Sequence, residues 1–361
     1  MISFTPHTLT TTIVNFQQRI GSFIMRISQA KAIVEASIDS QIQHVNGRDA
    51  QRPIPYLVGG AGLGKTSIVQ AIASEREVGL NILSLAQYDA GELAGWLVAD
   101  GDNMKRLRPD WMPADGEGIL FLDELPQAPV ANQNIAAQLV NERRIGEHRL
   151  PDGWAIVCAG NRTSDRAGTN NMPSHLKDRL LFIEVDADLE DTVAYMNSVD
   201  VSPLVTGFLR FRPELLHKFD RDANSCPSPR SWERVDTMMK WGLDAVNEQE
   251  AVAGQVGRGA CAEFMGYKQI HDTCPDIDAV IADPDGAAIS EDPAVCYAVS
   301  AALAHKANDK NIGNVIKYLT RLPHKEFAVF AVKDAYNRNP AIKQTQAFRQ
   351  FLLSHGKELM L

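Results

Sequence analysis

Along the first half of the chain, short apolar runs alternate with stretches in which apolar residues recur at helical spacing. Five runs read as strands: Tyr56-Leu57-Val58, Asn81-Ile82-Leu83-Ser84-Leu85, Ile119-Leu120-Phe121-Leu122, Trp154-Ala155-Ile156-Val157-Cys158 and Leu180-Leu181-Phe182-Ile183-Glu184-Val185. Several are almost continuously apolar rather than alternating, which is the pattern of parallel strands covered by helices on both faces. An amphipathic helix precedes them, with Ile27, Ala30, Ile33, Val34, Ile38 and Ile42 at helical spacing, and a charged linker, 46–52, leads to the first strand. Beyond residue 186 the pattern changes. Helical spacing covers 189–196, 204–219, 229–245, 259–271, 293–307, 312–322, 326–336 and 340–353, and the acidic, Pro- and Gly-containing stretch 275–293 reads as a loop. The expectation is an α/β layered domain with a parallel five-stranded sheet, ending near Asp186 and followed by an all-helical part. There is no repeat at a solenoid period.

Between the first strand and the helical run that starts at Ser67 lies Gly59-Gly60-Ala61-Gly62-Leu63-Gly64-Lys65-Thr66, a complete G-x-x-x-x-G-K-[ST] element. Glycines let backbone N–H groups curl around phosphate oxygens without Cβ clashes, and the following helix N-terminus adds partial positive charge. Lys65 can reach the β- and γ-phosphates, and the Thr66 hydroxyl can ligate Mg²⁺. Strand-loop-helix placement makes residues 59–67 a nucleotide site.

Two carboxylates, Asp123 and Glu124, close the Ile119 to Leu122 run at the strand end where open parallel sheets bind ligands. Asp123 can hold Mg²⁺ through its water shell, while Glu124 can polarise a water for attack on the γ-phosphate. The strand from Trp154 ends in Gly160-Asn161, and the Asn161 carboxamide can orient the same water; loops after strands favour Asn in any case. Ser228-Pro229-Arg230 reads as an N-cap, a Pro at the first helical position and an Arg in the first turn. A cation there opposes the helix dipole; a phosphate beside that terminus would account for it, and a solvated Arg is the plainer alternative.

With 361 residues, 45% of them hydrophobic, the chain can bury one large core and a smaller one. A net charge of −9 argues against gripping nucleic acid by bulk electrostatics, while leaving room for a local basic groove. Cys158, Cys226, Cys261, Cys274 and Cys296 are scattered, without zinc or disulfide spacing, which fits reduced thiols in the cytoplasm. There is no cleavable apolar leader and no run of 18 apolar residues. Residues 1–25 read either as an N-terminal arm or as an upstream start in a gene whose usual first residue is Met25.

The ordered set of Gly59 to Thr66, Leu122-Asp123-Glu124, Ala159-Gly160-Asn161, Lys177-Asp178-Arg179 and Ser228-Pro229-Arg230 resembles the AAA+ ATPases, and more closely their MoxR-like branch. The resemblance covers roughly residues 26–250. It implies a P-loop NTPase core of α/β/α layers over 26–187, a helical lid over 188–250 and a ring, usually hexameric, with ATP and Mg²⁺ between protomers. By the same resemblance Lys65 and Thr66 are the Walker A contacts, Asp123 and Glu124 the Walker B pair, Asn161 the first sensor and Arg230 the second. Arg179 looks like the arginine finger that enters a neighbouring protomer's site; a salt bridge within its own chain, for example to Asp178, is the alternative, and Arg162 and Arg166 are reserve candidates.

Two segments resemble the branch's inserted hairpins: 94–108, with Asp100-Gly101 as turn and a basic Lys105 to Arg108 stretch, and 144–150. In relatives such hairpins face a pore or an axial surface, so they are candidate partner contacts, with ordinary solvated loops as the alternative. Residues 251–361 form a helical extension longer than a minimal lid. The function implied by the resemblance is an ATPase performing conformational work on a protein partner, for the MoxR-like branch one carrying a von Willebrand factor A domain. A nucleic-acid motor of the same superfamily is the second reading, resting on Lys105 to Arg108 and on Arg143, Arg144 and Arg149. A slowly hydrolysing nucleotide-gated scaffold is the third, and a small-molecule kinase fits least.

Overall fold

The computed structural model describes residues 25–42, 52–162, 170–220, 222–272 and 274–359. The arm before Met25, most of the linker 46–52 and Arg166 lie outside these residues. Two compact units, Met1–Asp186 and Ala187–Leu361, make up the chain.

In the first unit, α1 (Ile27–Ile42) and β1 (Ile54–Val58) are followed by α2 (Lys65–Glu75), β2 (Gly79–Ser84) and the short α3 (Ala90–Ala94). A hairpin of β3 (Leu97–Asp100) and β4 (Asn103–Arg106) precedes β5 (Gly118–Asp123) and α4 (Val130–Glu142). A second hairpin, β6 (Arg144–Ile145) and β7 (His148–Arg149), leads to β8 (Trp154–Gly160), α5 (Ser174–Lys177) and β9 (Leu180–Glu184).

The main sheet has the order β2-β5-β8-β1-β9, and every pairing in it is parallel. Alternate side chains of its central strands enter two separate cores, as a two-residue strand period requires. Ile119, Phe121, Ala155, Val157 and Ala159 pack against Val34 and Ile38 of α1 and Ile68, Val69 and Ile72 of α2. Leu120, Leu122, Ile156 and Cys158 face Ala136, Leu139 and Val140 of α4. The layers are therefore α/β/α. This explains the continuous apolar runs: β8 is buried along all seven residues, whereas the edge strands β2 and β9 keep exposed positions such as Ile82 and Phe182. Gln41 fixes α1 to the sheet, donating to the Ile156 carbonyl at 2.9 Å and accepting from the Ile156 N–H at 2.8 Å.

The second unit is helical: α6 (Leu189–Ser198), α7 (Pro203–Phe211), α8 (Pro229–Met239), α9 (Ala245–Val256), α10 (Arg258–Asp272), α11 (Ile277–Ala282), α12 (Pro293–Lys306), α13 (Ile312–Leu319), α14 (Lys325–Arg338) and α15 (Gln346–Leu359). Residue 250, the expected lid boundary, falls inside α9, and one core joins Phe208 and Trp232 on its near side to Phe264, Tyr267 and Ala298 on its far side.

Four expectations for the helical part are corrected. The helix expected over 229–245 ends at Met239, with Gly242 at φ 70° in the turn before α9, and the one expected over 340–353 is a 3-10 turn over Pro340–Gln344 with α-helix only from Gln346. The helix expected over 204–219 stops at Phe211, because Pro213 disfavours helical backbone at Arg212, which sits at φ −128° and ψ 68°. The loop expected over 275–293 contains α11, started by the Asp276 carboxylate accepting from the Asp278 N–H and anchored by buried Val280.

Candidate nucleotide site

Val58 ends β1 beside Gly160 of β8 and Glu184 of β9, so the glycine-rich loop leaves from the middle of the sheet's C-terminal edge. Gly62 and Gly64 take φ of 77° and 86°, in the left-handed region where a Cβ is disfavoured, and Gly64 caps α2. Gly59 is required by space, since a Cβ there would lie 2.6 Å from the Val185 carbonyl oxygen. Ala61 and Leu63 complete the loop; Leu63 is buried and tethers it to the core.

Lys65 is buried with its Nζ turned over the loop, donating to the carbonyls of Gly59 and Gly60, each at 2.8 Å, and to Asn161 Oδ1 at 3.2 Å. Thr66 Oγ1 donates to Asp123 Oδ2 at 3.2 Å. The other Asp123 oxygen accepts from the Glu124 N–H at 2.9 Å. Residues from two strand ends and one helix start, distant in sequence, thus converge: Lys65 and Thr66, Asp123 and Glu124, and Asn161. A hydroxyl beside a carboxylate is the oxygen donor set that a hard divalent cation takes.

Glu124 is not relaxed. Its φ is 57°, a conformation that costs a residue with a Cβ about 1–2 kcal/mol, held here by Gln127 and Ala128 N–H groups donating to its carbonyl. Its carboxylate accepts from Ser84 Oγ at 2.5 Å. Ser84 ends β2 and is the register partner of Asp123, which places its hydroxyl beside Glu124. Sequence reading missed this residue; the signal was a hydroxyl at the C-terminal end of an otherwise apolar run. Gly160 was also passed over as a contact. A Cβ there would lie 2.3 Å from Pro126 Cδ and 2.7 Å from the Tyr56 hydroxyl, so the turn after the carboxylate pair packs directly on the strand that presents Asn161.

The arginines are distributed differently. Arg162, on the nucleotide edge, pairs with Glu184 at 3.0 Å and Asp186 at 3.7 Å and donates to the Val185 carbonyl. Arg179 sits between α5 and β9, at the opposite edge of the sheet, and is exposed. It donates to Asn141 Oδ1 at 2.6 Å and to the His175 carbonyl, rather than to Asp178. Arg230 belongs to the second unit, exposed in the first turn of α8, whose cap is reciprocal: Ser228 Oγ accepts from the Ser231 N–H at 3.1 Å, and Ser231 Oγ from the Ser228 N–H at 2.7 Å.

Both expected hairpins form, with Gly101 and Gly146 at positive φ in their turns. They are joined to each other. The Arg106 N–H donates to Glu147 at 3.2 Å, and His148 Nε2 lies 2.8 Å from the Arg106 carbonyl oxygen. Arg106 and Arg108 turn their guanidinium groups onto the backbone carbonyls of Gly95 and Pro113. Trp96, Leu97, Met104 and Leu107, by contrast, are at least half exposed.

Residues 55–182 match the profile of the ATPase family associated with various cellular activities (AAA). No curated protein matches the chain in sequence. Among solved structures, the chain is similar to the Thermotoga maritima RuvB Holliday junction branch migration motor, at 15% identity over 73% of this chain and 82% of that one, with a TM-score of 0.38. It is likewise similar to NtrX from Brucella abortus, at 15% identity over 96% of this chain and 72% of that one, again with a TM-score of 0.38. Among the described residues no helix is long and apolar enough to cross a membrane.

Proposed function

Starting from a AAA domain at residues 55–182, we propose that this chain is a Mg²⁺-dependent ATPase of the MoxR-like kind, acting as a homo-oligomeric ring that remodels a protein partner. The carrying observation is the convergence of Lys65, Thr66, Asp123, Glu124 and Asn161 at one edge of the sheet. Lys65 exchanges its loop carbonyls for the β- and γ-phosphates. Thr66 and Asp123 would hold Mg²⁺, which when bound would supply neutralising charge to the phosphates. Glu124 takes a proton from the attacking water, and Asn161 orients that water from the neighbouring strand.

Arg179, presented on the far edge from its own P-loop, acts on the nucleotide of an adjoining copy, so that turnover depends on assembly. Arg230 reads nucleotide state from the helical part, and the joined hairpins contact the client. The apolar exposure of Trp96, Leu97, Met104 and Leu107 suits a protein surface, while Arg106 and Arg108 turn onto backbone carbonyls of their own chain.

The test is Glu124→Gln. ATP binding is expected to stay within about twofold of wild type, while kcat falls about 10²- to 10⁴-fold; unchanged turnover would remove Glu124 as the base. Wild-type turnover stimulated by DNA, with the stimulation fading as salt rises, would instead support the nucleic-acid motor.

A further inference from the structure

At the edge of the sheet opposite the P-loop, a cavity of about 690 Å³ opens between the start of β1, the end of α4, the second hairpin and the start of β9. Its wall carries five arginines, Arg52, Arg143, Arg144, Arg149 and Arg179, against two carboxylates, Glu142 and Asp178. That is a concentrated positive site in a chain of net charge −9. β1 runs from this cavity to the glycine-rich loop, and five residues at ~3.3 Å each separate the two sites by roughly 17 Å.

The arrangement is costly to the protein alone. Arg144 and Arg149 are direct partners on the β6–β7 ladder, where like charges repel. Arg143 caps α4 at φ 52°, donates through one nitrogen to the Pro151 and Trp154 carbonyls, and leaves its buried Nε and Nη1 without an acceptor. Burial, and then the proximity of Arg52, push its guanidinium down to about 10, with Asp152 opposing and Arg149 adding to the effect. Glu142 is committed to Arg144 at 2.9 Å. A half-buried cation with two unmet donors, set among further cations, is compensated by a bound anion, and forked guanidinium groups match phosphate oxygens pairwise.

We propose that this cavity is a second anion site, separate from the nucleotide site, that binds a small phosphate-bearing molecule through Arg52, Arg143 and Arg149. Free phosphate anions and the phosphates of a nucleotide held by an adjoining copy share this chemistry; every residue lining the cavity belongs to one unit of one chain, so a free anion is held without a second copy, and the cavity is assigned to it.

The experiment uses the full chain carrying Lys65→Ala, which disables the P-loop, with inorganic tripolyphosphate as the probe in titration calorimetry and with mass measured in parallel. One tripolyphosphate is expected to bind per monomer, with affinity falling about tenfold or more between 50 and 200 mM salt. Adding Arg52→Gln and Arg149→Gln is expected to weaken binding at least tenfold, and Arg149→Lys less than Arg149→Gln, because a lysine keeps the charge and loses the fork. Arg149 is exposed, so the Arg149→Gln variant alone keeps the test usable should the double variant melt early. Absence of binding at about 1 mM probe, or binding indifferent to Arg149, overturns the proposal. Binding of the probe by ATP-saturated, assembled wild type but not by Lys65→Ala also overturns it, and gives the cavity to the adjoining nucleotide.

Discussion

Ser84→Ala removes one hydroxyl, and the sheet order fixes the sign of its effect. β2 lies on one side of β5, while β8 and β1, which present Asn161 and the P-loop, lie on the other. The 2.5 Å bond from Ser84 therefore draws the Glu124 carboxylate towards β2 and away from the strands that present Asn161 and the glycine-rich loop. A hydrogen bond to a charged group contributes about 1.5–3 kcal/mol when buried. Ser84 and Glu124 are only half-buried, which brings the figure nearer ~1 kcal/mol, a factor of about five in rate. Freed of that bond, Glu124 reaches the attacking water more often, so basal ATP turnover of Ser84→Ala is expected to rise about fivefold, with ATP affinity unchanged. The assay is steady-state phosphate release at saturating ATP, repeated in a Glu124→Gln background, where the gain must vanish. Turnover that falls, or a gain that survives without Glu124, would refute the argument that Ser84 restrains the base.

Arg179→Ala is expected to lower turnover of the assembled protein about 10³-fold while oligomer mass and ATP binding persist; concentration-independent turnover by a monomer, indifferent to Arg179, would remove the shared site. Gly160→Ala forces a methyl against Pro126 and Tyr56, at 2.3 and 2.7 Å, and overpacking of this kind costs about 1–3 kcal/mol, so the melting temperature should drop by several degrees in differential scanning calorimetry. In the helical unit, hydrogen bonds from Arg338 and their charge hold Asp200 below the usual aspartate range, with His305 adding to the effect. The folded carboxyl is thus the stronger acid, so the pair stabilises above the ordinary aspartate pKa of about 3.9 and that contribution disappears as pH falls through the folded value. Asp200→Asn should accordingly flatten the acid limb of the unfolding curve below about pH 4, and an unaltered limb would show the pair to be inert.

What was legible in the sequence was whatever depends on near neighbours. Apolar runs without alternation marked strands covered on both faces, and the glycine spacing before Lys65 marked a backbone that must turn through positive φ. Asp123 and Glu124 were placed because a strand's end is visible in its own residues. Ser84 and Gly160 escaped notice because their work depends on register: a serine meets Glu124 only when β2 pairs with β5 so that Ser84 stands opposite Asp123, and Gly160 is needed only because Pro126 folds back onto β8. The end of α7 at Phe211 was local and readable, since Pro213 forbids helical backbone before it, but an apolar period running on to Phe219 outweighed that signal.

The arginine cavity is the extreme of the same rule. Arg52, Arg143, Arg149 and Arg179 are spread over more than a hundred residues; in the sequence Arg143 and Arg149 group with Arg144 as a basic cluster, Arg179 reads as a finger, and nothing joins these to Arg52. Parallel topology decides otherwise. It brings the starts of β1 and β9 to one edge, where the end of α4 and the second hairpin also arrive, and so concentrates at that edge the charge the sequence seemed to scatter. The same topology sends the ends of β1, β5 and β8 to the opposite edge with Lys65, Thr66, Asp123, Glu124 and Asn161. The two edges are therefore set by one fact, the common direction of five strands, and a chemistry of phosphate at both is what that direction, combined with these residues, makes available.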